Sequence, residues 1–288
     1  MLNLHNGLIT SALMLMITAR SSIAAPVSTN PAQPHVVVLS YNIRHGQGMD
    51  GKIDLARIAA VIKSVSPDIV SLQEVDRNTK RSHGIDQAKE LGRLTGMEAV
   101  YCASLPLQGG EYGNAILTKL PILKTARIPL PGEPRSALCV TVEMATKMPF
   151  TFIATHLDLT EKARLESIPL IETFFKSDPS APALLAGDLN AEPGSTTLVA
   201  LGKTWENATS REGLFTFPVK EPKEQIDFIL YRPATCWRVV ETKVLDEAVA
   251  SDHRPILAVL EFLWDSVAKN RAIGVFESKP SVRGRKQE

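Results

Sequence analysis

Polar residues able to move a proton or hold a cation recur in one kind of place, the end of an apolar run. Asn42 follows Val36 to Tyr41, and Glu74 follows Ile69 to Gln73. His156 follows Phe152 to Thr155, and Asp188 and Asn190 follow the run Ala183 to Gly187. Asp227 sits inside Gln225 to Leu230, while Asp252 and His253 open the last apolar run. Carboxylates and amides are hard oxygen donors suited to Mg²⁺ or Mn²⁺. An imidazole beside a carboxylate makes an acid–base pair. Burying an unpaired carboxylate is expensive, so several that converge imply a metal or cationic partner. Each residue alone has a plainer reading. Asp188 and Asn190 can close a turn on their own backbone, a single histidine near a strand is usually structural, and Asp227 can be a buried, paired carboxylate. Taken together, the plain reading must hold independently at every segment.

The elements that must position these residues are legible in outline. His35 to Asn42 is a β-branched run and reads as a buried strand. Asp54 caps a helix with Leu55, Ile58, Ala59, Ile62 and Val65 on one face, and Pro67 ends it. Asp68 to Gln73 is a second strand, ending at Glu74. Asp86 caps a short helix that Gly96 stops. Strands follow at Glu98–Ala103, Asn114–Thr118, Ile122–Ile128, Ala137–Met144 and Phe150–Thr155. Glu161 to Phe175 reads as a helix that Pro169 should kink or break. Ala183–Ala186, Gln225–Tyr231, Arg238–Leu245 and Pro255–Phe262 complete the strands. Many strands with few helices between them suggest two packed sheets covered by helices.

The chain has 288 residues, enough for one large α/β domain. Lys and Arg total 32 against 31 for Asp and Glu, with the basic residues concentrated from Lys269 onward. The body is therefore slightly acidic, which weighs against general nucleic-acid binding by a basic surface. A bound metal would supply positive charge locally. Residues 1–25 read as a signal peptide: Gly7 to Ala19 is apolar but short for a bilayer, and Ser21 to Pro26 offers the small residues of a cleavage site. The n-region holds His5 but no Lys or Arg, so an uncleaved anchor is the alternative. Residues 26–34 form a linker, 35–263 the folded domain, and 264–288 a basic tail expected to be disordered. Export to the periplasm or outside the cell is the expectation, as a monomer without a stable membrane span after cleavage. Cys102, Cys139 and Cys236 lie in or beside strands and read as buried, inert thiols.

The ordered segments Tyr41–Arg44, Leu72–Asp76, Gly113–Leu117, Thr155–Asp158, Gly187–Asn190, Ile226–Ile229 and Ser251–Pro255 resemble the endonuclease/exonuclease/phosphatase superfamily. Deoxyribonuclease-I-like nucleases, neutral sphingomyelinases and inositol polyphosphate phosphatases are members. The resemblance runs from about Val36 to Phe262, and Arg77, Arg81, Asp86 and Gln87 with Glu111, Tyr112 and Asn114 resemble a compact metal-dependent hydrolase branch. It implies a four-layer α/β/β/α sandwich of two mixed sheets flanked by helices. It implies Glu74 as a ligand of Mg²⁺ (or Mn²⁺), with Asn42 completing that shell or holding Glu74, and Asp252 a second ligand. Asp188 resembles the water-orienting carboxylate, with Asn190 binding the water or a phosphate oxygen. His253 and Asp227 resemble the His–Asp pair of the family, and His156 a second site histidine that serves as general acid. Either Asp188 or His253 can take the proton from water.

The substrate end falls to Arg44, Arg81, Tyr112, Asn114 and Arg135, of which Arg44 and Arg135 can clamp phosphate oxygens. Arg44 stands where abasic-site endonucleases carry a carboxylate and deoxyribonuclease-I-like enzymes an arginine, which argues against abasic-site repair. No exposed aromatic hairpin for membrane insertion is evident. Three functions fit: a phosphodiesterase on nucleic acid or a small phosphodiester, a phosphatase on a sugar or inositol phosphate, and an inactive binding protein on the same scaffold. Every matched position carries a chemically competent residue, which disfavours the last.

Overall fold

Two parallel strand pairs, one in each of two sheets, carry the polar strand ends. The computed structural model describes residues 34–263. The expected signal peptide, the linker up to residue 33 and the basic tail lie outside the described residues. The strands are β1 (His35–Asn42), β2 (Ile69–Arg77), β3 (Glu98–Leu107), β4 (Gly110–Thr118), β5 (Ile122–Leu130), β6 (Arg135–Glu143), β7 (Pro149–His156), β8 (Ala183–Asp188), β9 (Glu206–Asn207), β10 (Asp227–Arg232), β11 (Trp237–Val244) and β12 (Ile256–Phe262). The helices are α1 (Leu55–Ser64), α2 (Gln87–Thr95), α3 (Glu161–Glu172) and α4 (Thr196–Leu201). One six-stranded sheet has the order β11-β12-β1-β2-β4-β3, the other β5-β6-β7-β8-β10-β9. β1 runs parallel to β2 and β7 parallel to β8. Helix α1 bridges the first parallel pair and α3 the second, as a parallel connection requires.

Three apolar clusters make the sandwich four-layered. The largest lies between the sheets, with Val38, Ile116 and Phe262 of one meeting Phe150, Phe152 and Leu184 of the other. Phe150 and Trp237 meet edge to face at 5.5 Å across this layer. A second cluster joins α1 and α2 to the outer face of the first sheet through Ile58, Ile62 and Leu91. A third joins α3 and α4 to the second sheet through Ile168, Ile171 and Leu201. Burial of this kind stabilises by roughly 25 cal/mol per Å² of apolar surface and is what holds the layers together.

Asp54 accepts the Arg57 amide at 2.9 Å to start α1, Asp86 caps α2 the same way, and Gly96 ends α2 in the left-handed region. Three expectations change. The helix over Pro169 does not break there. It continues to Glu172 and then tightens to a 3-10 turn, Thr173–Phe175. Pro169 lies on the exposed side, where the carbonyl it leaves unpaired can face water. β2 does not end at Glu74 but continues to Arg77 through a bulge between Leu72 and Val75. Asp252 and His253 stand in the loop before β12 rather than in the strand. The short α4 and β9 have no sequence counterpart among the expected elements. All three cysteines are buried, and no helix of the described residues is long and apolar enough to cross a membrane.

Candidate active site

β7, β8 and β10 set three site residues on a single rung. His156 pairs with Asp188 and Asp188 with Asp227. Residues paired across adjacent strands project to the same face, so two carboxylates and an imidazole converge. Gly187, one residue before Asp188, sits against the Thr155 backbone so closely that a Cβ would overlap the Thr155 carbonyl. Only glycine lets β8 hold Asp188 at this spacing.

The two histidines flank Asp188 in opposite electrostatic states. His253 Nδ1 is 2.9 Å from Asp227 Oδ2, and its Nε2 is 3.8 Å from Asp188 Oδ2. Burial works against a charged His253, yet Asp227, Asp188 and Asp252 outweigh it and push the pKa up to about 10. The Phe217 ring packs against this imidazole at 4.9 Å. On the other side, His156 Nε2 is 3.5 Å from Asp188 Oδ2. Arg135 Nη1 lies 3.1 Å from His156 Nδ1. Burial pulls the His156 pKa down to about 4, Arg135 adds to the fall, and Asp188 opposes it.

Asn42, at the end of β1, ties the two sheets' contributions together. Its Nδ2 donates to Glu74 Oε1 at 3.2 Å and to Asp188 Oδ2 at 3.1 Å, while its Oδ1 accepts the Arg44 amide. The β2 bulge turns Glu74 to this point, with a backbone φ of 60°. Burial raises the Glu74 pKa, and the carboxylates of Asp252 and Asp188 add to the rise against the Asn42 hydrogen bond. Asp252 is 3.4 Å from Arg44 Nε. Asp188 Oδ1 accepts the Asn190 amide at 2.9 Å, and Asn190 Nδ2 donates to the Leu157 carbonyl. That leaves the Asn190 side-chain oxygen as its open group. A cation fits this donor set: Glu74 and Asp252 bring hard anionic oxygens, and the Asp252 charge adds to the rise of the Glu74 pKa. Oxygen or nitrogen atoms of Asp188, Asp227 and His253 also come within 4.8 Å of one another. There, however, His253 and Asp227 are already hydrogen-bonded together.

An open cleft of about 640 Å³ exposes Glu74, Arg135, His156, Asp188, Asn190, Asp252 and His253 together. Of the residues expected to bind substrate, Arg135 lines it. Arg44 stands at its edge beside Asp252. The Arg81 guanidinium makes two 2.8 Å bonds to the buried Asp76 and lies 5.6 Å from the Tyr112 ring centroid. Burial and the Glu74 charge raise the Tyr112 pKa. Asn114 is buried and donates to the Ser136 carbonyl at 2.8 Å, so its amide ties β4 to β6 across the sheets. Sequence reading missed Arg164 and Phe217, which also line the cleft. Arg164 is 9% exposed and grips the carbonyls of Asp158 and Leu159 and the Thr197 hydroxyl. A lone arginine in a helical stretch reads as solvent-facing, and a phenylalanine before a proline as a loop residue. Neither carried a signal.

Known proteins share this fold. A family model described as "Endonuclease/Exonuclease/phosphatase family" matches residues 39–253. An endonuclease/exonuclease/phosphatase of Beutenbergia cavernae is 25% identical, with a TM-score of 0.65 over 79% of this chain and 72% of that one. The mannosyl-6-phosphatase of Bacteroides thetaiotaomicron is 20% identical, with a TM-score of 0.65 over 79% and 99%. The human Nocturnin catalytic domain is 18% identical, with a TM-score of 0.64 over 80% and 94%. A search of curated proteins finds no match. The matched span includes the β1, β2, β7, β8 and β10 positions described above, and the chain belongs to the endonuclease/exonuclease/phosphatase family of phosphate-ester hydrolases.

Proposed function

We propose that the chain is a divalent-metal-dependent phosphodiesterase that drives water onto phosphorus from Asp188. The observation that carries this reading is the setting of Asp188: a carboxylate held between a cationic imidazole, His253, and a second imidazole, His156, in an open cleft. Asp188 takes the proton of the attacking water. The free Asn190 oxygen accepts a hydrogen bond from the same water and orients it. His253, protonated on both nitrogens, donates Nε2–H to a phosphoryl or leaving oxygen, and Asp227 stabilises the imidazolium. Glu74 and Asp252 would hold Mg²⁺ or Mn²⁺, with Asn42 orienting Glu74. When bound, the cation supplies charge neutralisation at the phosphoryl group.

A diester is favoured by local charge. Arg135, Arg164 and His253 meet Glu74, Asp188, Glu192, Glu224 and Asp252 along the cleft. With one divalent cation the lining is close to neutral, which suits a singly charged diester better than a doubly charged monoester. Hydrolysis of bis-nitrophenyl phosphate and nitrophenyl phosphate, with Mg²⁺, Mn²⁺ or chelator, tests this. Diester turnover that needs metal supports the reading, and preference for the monoester would redirect it to a phosphatase. Export follows from the N-terminal pattern in the sequence, and mass spectrometry of the mature protein tests it: a chain still beginning at Met1 refutes cleavage.

A further inference from the structure

We propose that Arg135 is a positioning residue that locks His156 in one neutral tautomer, with hydrogen on Nε2, so that His156 holds Asp188 in place rather than acting as the general acid. The inference rests on the catalytic reading above for its consequence, but not for its structural content. A guanidinium has only donors. Arg135 Nη1 lies 3.1 Å from His156 Nδ1, so Nδ1 must accept. A neutral imidazole that accepts on Nδ1 carries its hydrogen on Nε2. That nitrogen is the one facing Asp188 Oδ2, at 3.5 Å.

Arg135 is itself built into the fold. It opens β6 and is 8% exposed, and its Nη2 is held by Glu133 at 3.3 Å. The charged groups facing His156 are Arg135 from β6, Asp188 from β8, His253 from the loop before β12 and Asp158 from the loop after β7. Protonating Nδ1 would set two N–H donors and two cations against each other, Arg135 and the imidazolium, in a buried place. Burial lowers the His156 pKa in the same direction. The result is a division of labour between two histidines on one carboxylate. His253 pairs with a carboxylate and is the cationic donor, while His156 pairs with an arginine and is the neutral one.

The tautomer is read directly from ¹⁵N chemical shifts of the imidazoles in the full chain. The chain has 6 histidines, and His156→Gln identifies the relevant signals. In wild type, Nδ1 should appear as a bare acceptor and Nε2 as protonated, unchanged from about pH 8 down to about pH 5, well past the usual histidine range. In Arg135→Met the acceptor shift should be lost from Nδ1, and His156 should titrate at higher pH. Arg135→Lys restores a donor and should restore part of the wild-type pattern. A bare Nε2 in wild type, a wild-type His156 that titrates near its ordinary pH, or unchanged shifts in Arg135→Met would each overturn the proposal. Should Arg135→Met not fold, the wild-type spectrum alone decides. None of these readouts needs turnover, so an enzyme silent on every phosphate ester would sink the functional reading and leave this one standing. With an active enzyme, kcat in Arg135→Met should fall on the order of 10²-fold, with partial recovery in Arg135→Lys.

Discussion

Asp188 Oδ2 and His253 Nε2 stand 3.8 Å apart, near enough to couple electrically and too far to hydrogen-bond. In the proposed mechanism the substrate enters this gap, with Asp188 as acceptor and His253 as donor. Asp188→Asn removes the charge with little change in volume and keeps an acceptor for the Asn190 amide. The variant should fold with an unchanged circular dichroism spectrum. Its turnover of the preferred nitrophenyl ester should fall roughly 10²–10⁴-fold. Wild-type-like rates would remove Asp188 from the mechanism.

Glu74 is held where its charge is unwelcome in the absence of a cation. Burial and the carboxylates of Asp252 and Asp188 raise its pKa. A carboxyl whose folded pKa is raised contributes stability at acidic pH that is lost as pH rises through the folded value. At neutral pH in chelator, Glu74→Gln should therefore melt at or above the wild-type temperature. Wild type should gain thermal stability on adding Mg²⁺, and the variant should lose most of that gain, with affinity weakened by more than about tenfold. Equal Mg²⁺ titrations in the two proteins would move the cation elsewhere. A more stable, metal-blind variant is the signature of a residue kept for function at the expense of the fold.

The two histidines make opposite demands on pH. His253 is raised to about 10 in the folded protein, so its contribution is full below the ordinary histidine value and is lost as pH rises toward that figure. His156 is lowered to about 4, so folding is disfavoured as pH falls below the ordinary value and the unfolded chain takes up the proton first. In chelator, the melting temperature should be highest near the ordinary histidine pKa of about 6.5 and fall on both sides. His156→Gln should flatten the acid limb between about pH 6.5 and about pH 4, and His253→Gln the alkaline limb. Limbs unmoved by both substitutions would assign the pH dependence to other groups.

Much of the candidate site was legible because it obeys a local rule. An apolar strand that ends in a polar residue marks both the element and the group it presents, and this located Asn42, His156 and Asp188. Caps at Asp54 and Asp86 and the stop at Gly96 are likewise written in a few consecutive residues. What was not legible depends on distant partners. The bulge at Glu74 exists because β2 must re-register against β4, which no pattern within β2 announces. Asn114 reads as a substrate contact until Ser136, on another sheet, is seen to take its amide. Arg135 and His156 are 21 residues apart, and only the β6–β7 pairing brings them together. The role of His156 turns on this partner, which the sequence could not name.

Arg164 is a buried tether beside the candidate site. Its Nε bonds the Thr197 hydroxyl at 3.1 Å, and its Nη1 bonds the carbonyls of Asp158 and Leu159 at 3.1 and 2.7 Å. It thereby joins α3 and α4 to the loop that follows His156. Truncation would strip the donor from the carbonyl of Asp158, a residue only 2% exposed, and leaving such a group unpaired costs more than the bond itself contributes. Arg164→Ala should lose about 2–4 kcal/mol by urea denaturation. Arg164→Lys, which can reach one carbonyl but not the forked set, should fall between. Because the loop begins at His156, the loss should extend to its ring: the His156 ¹⁵N signals of Arg164→Ala should broaden or shift while those of His253 stay in place. A loss below about 0.5 kcal/mol would mean that water replaces the guanidinium freely and that the loop needs no such tether.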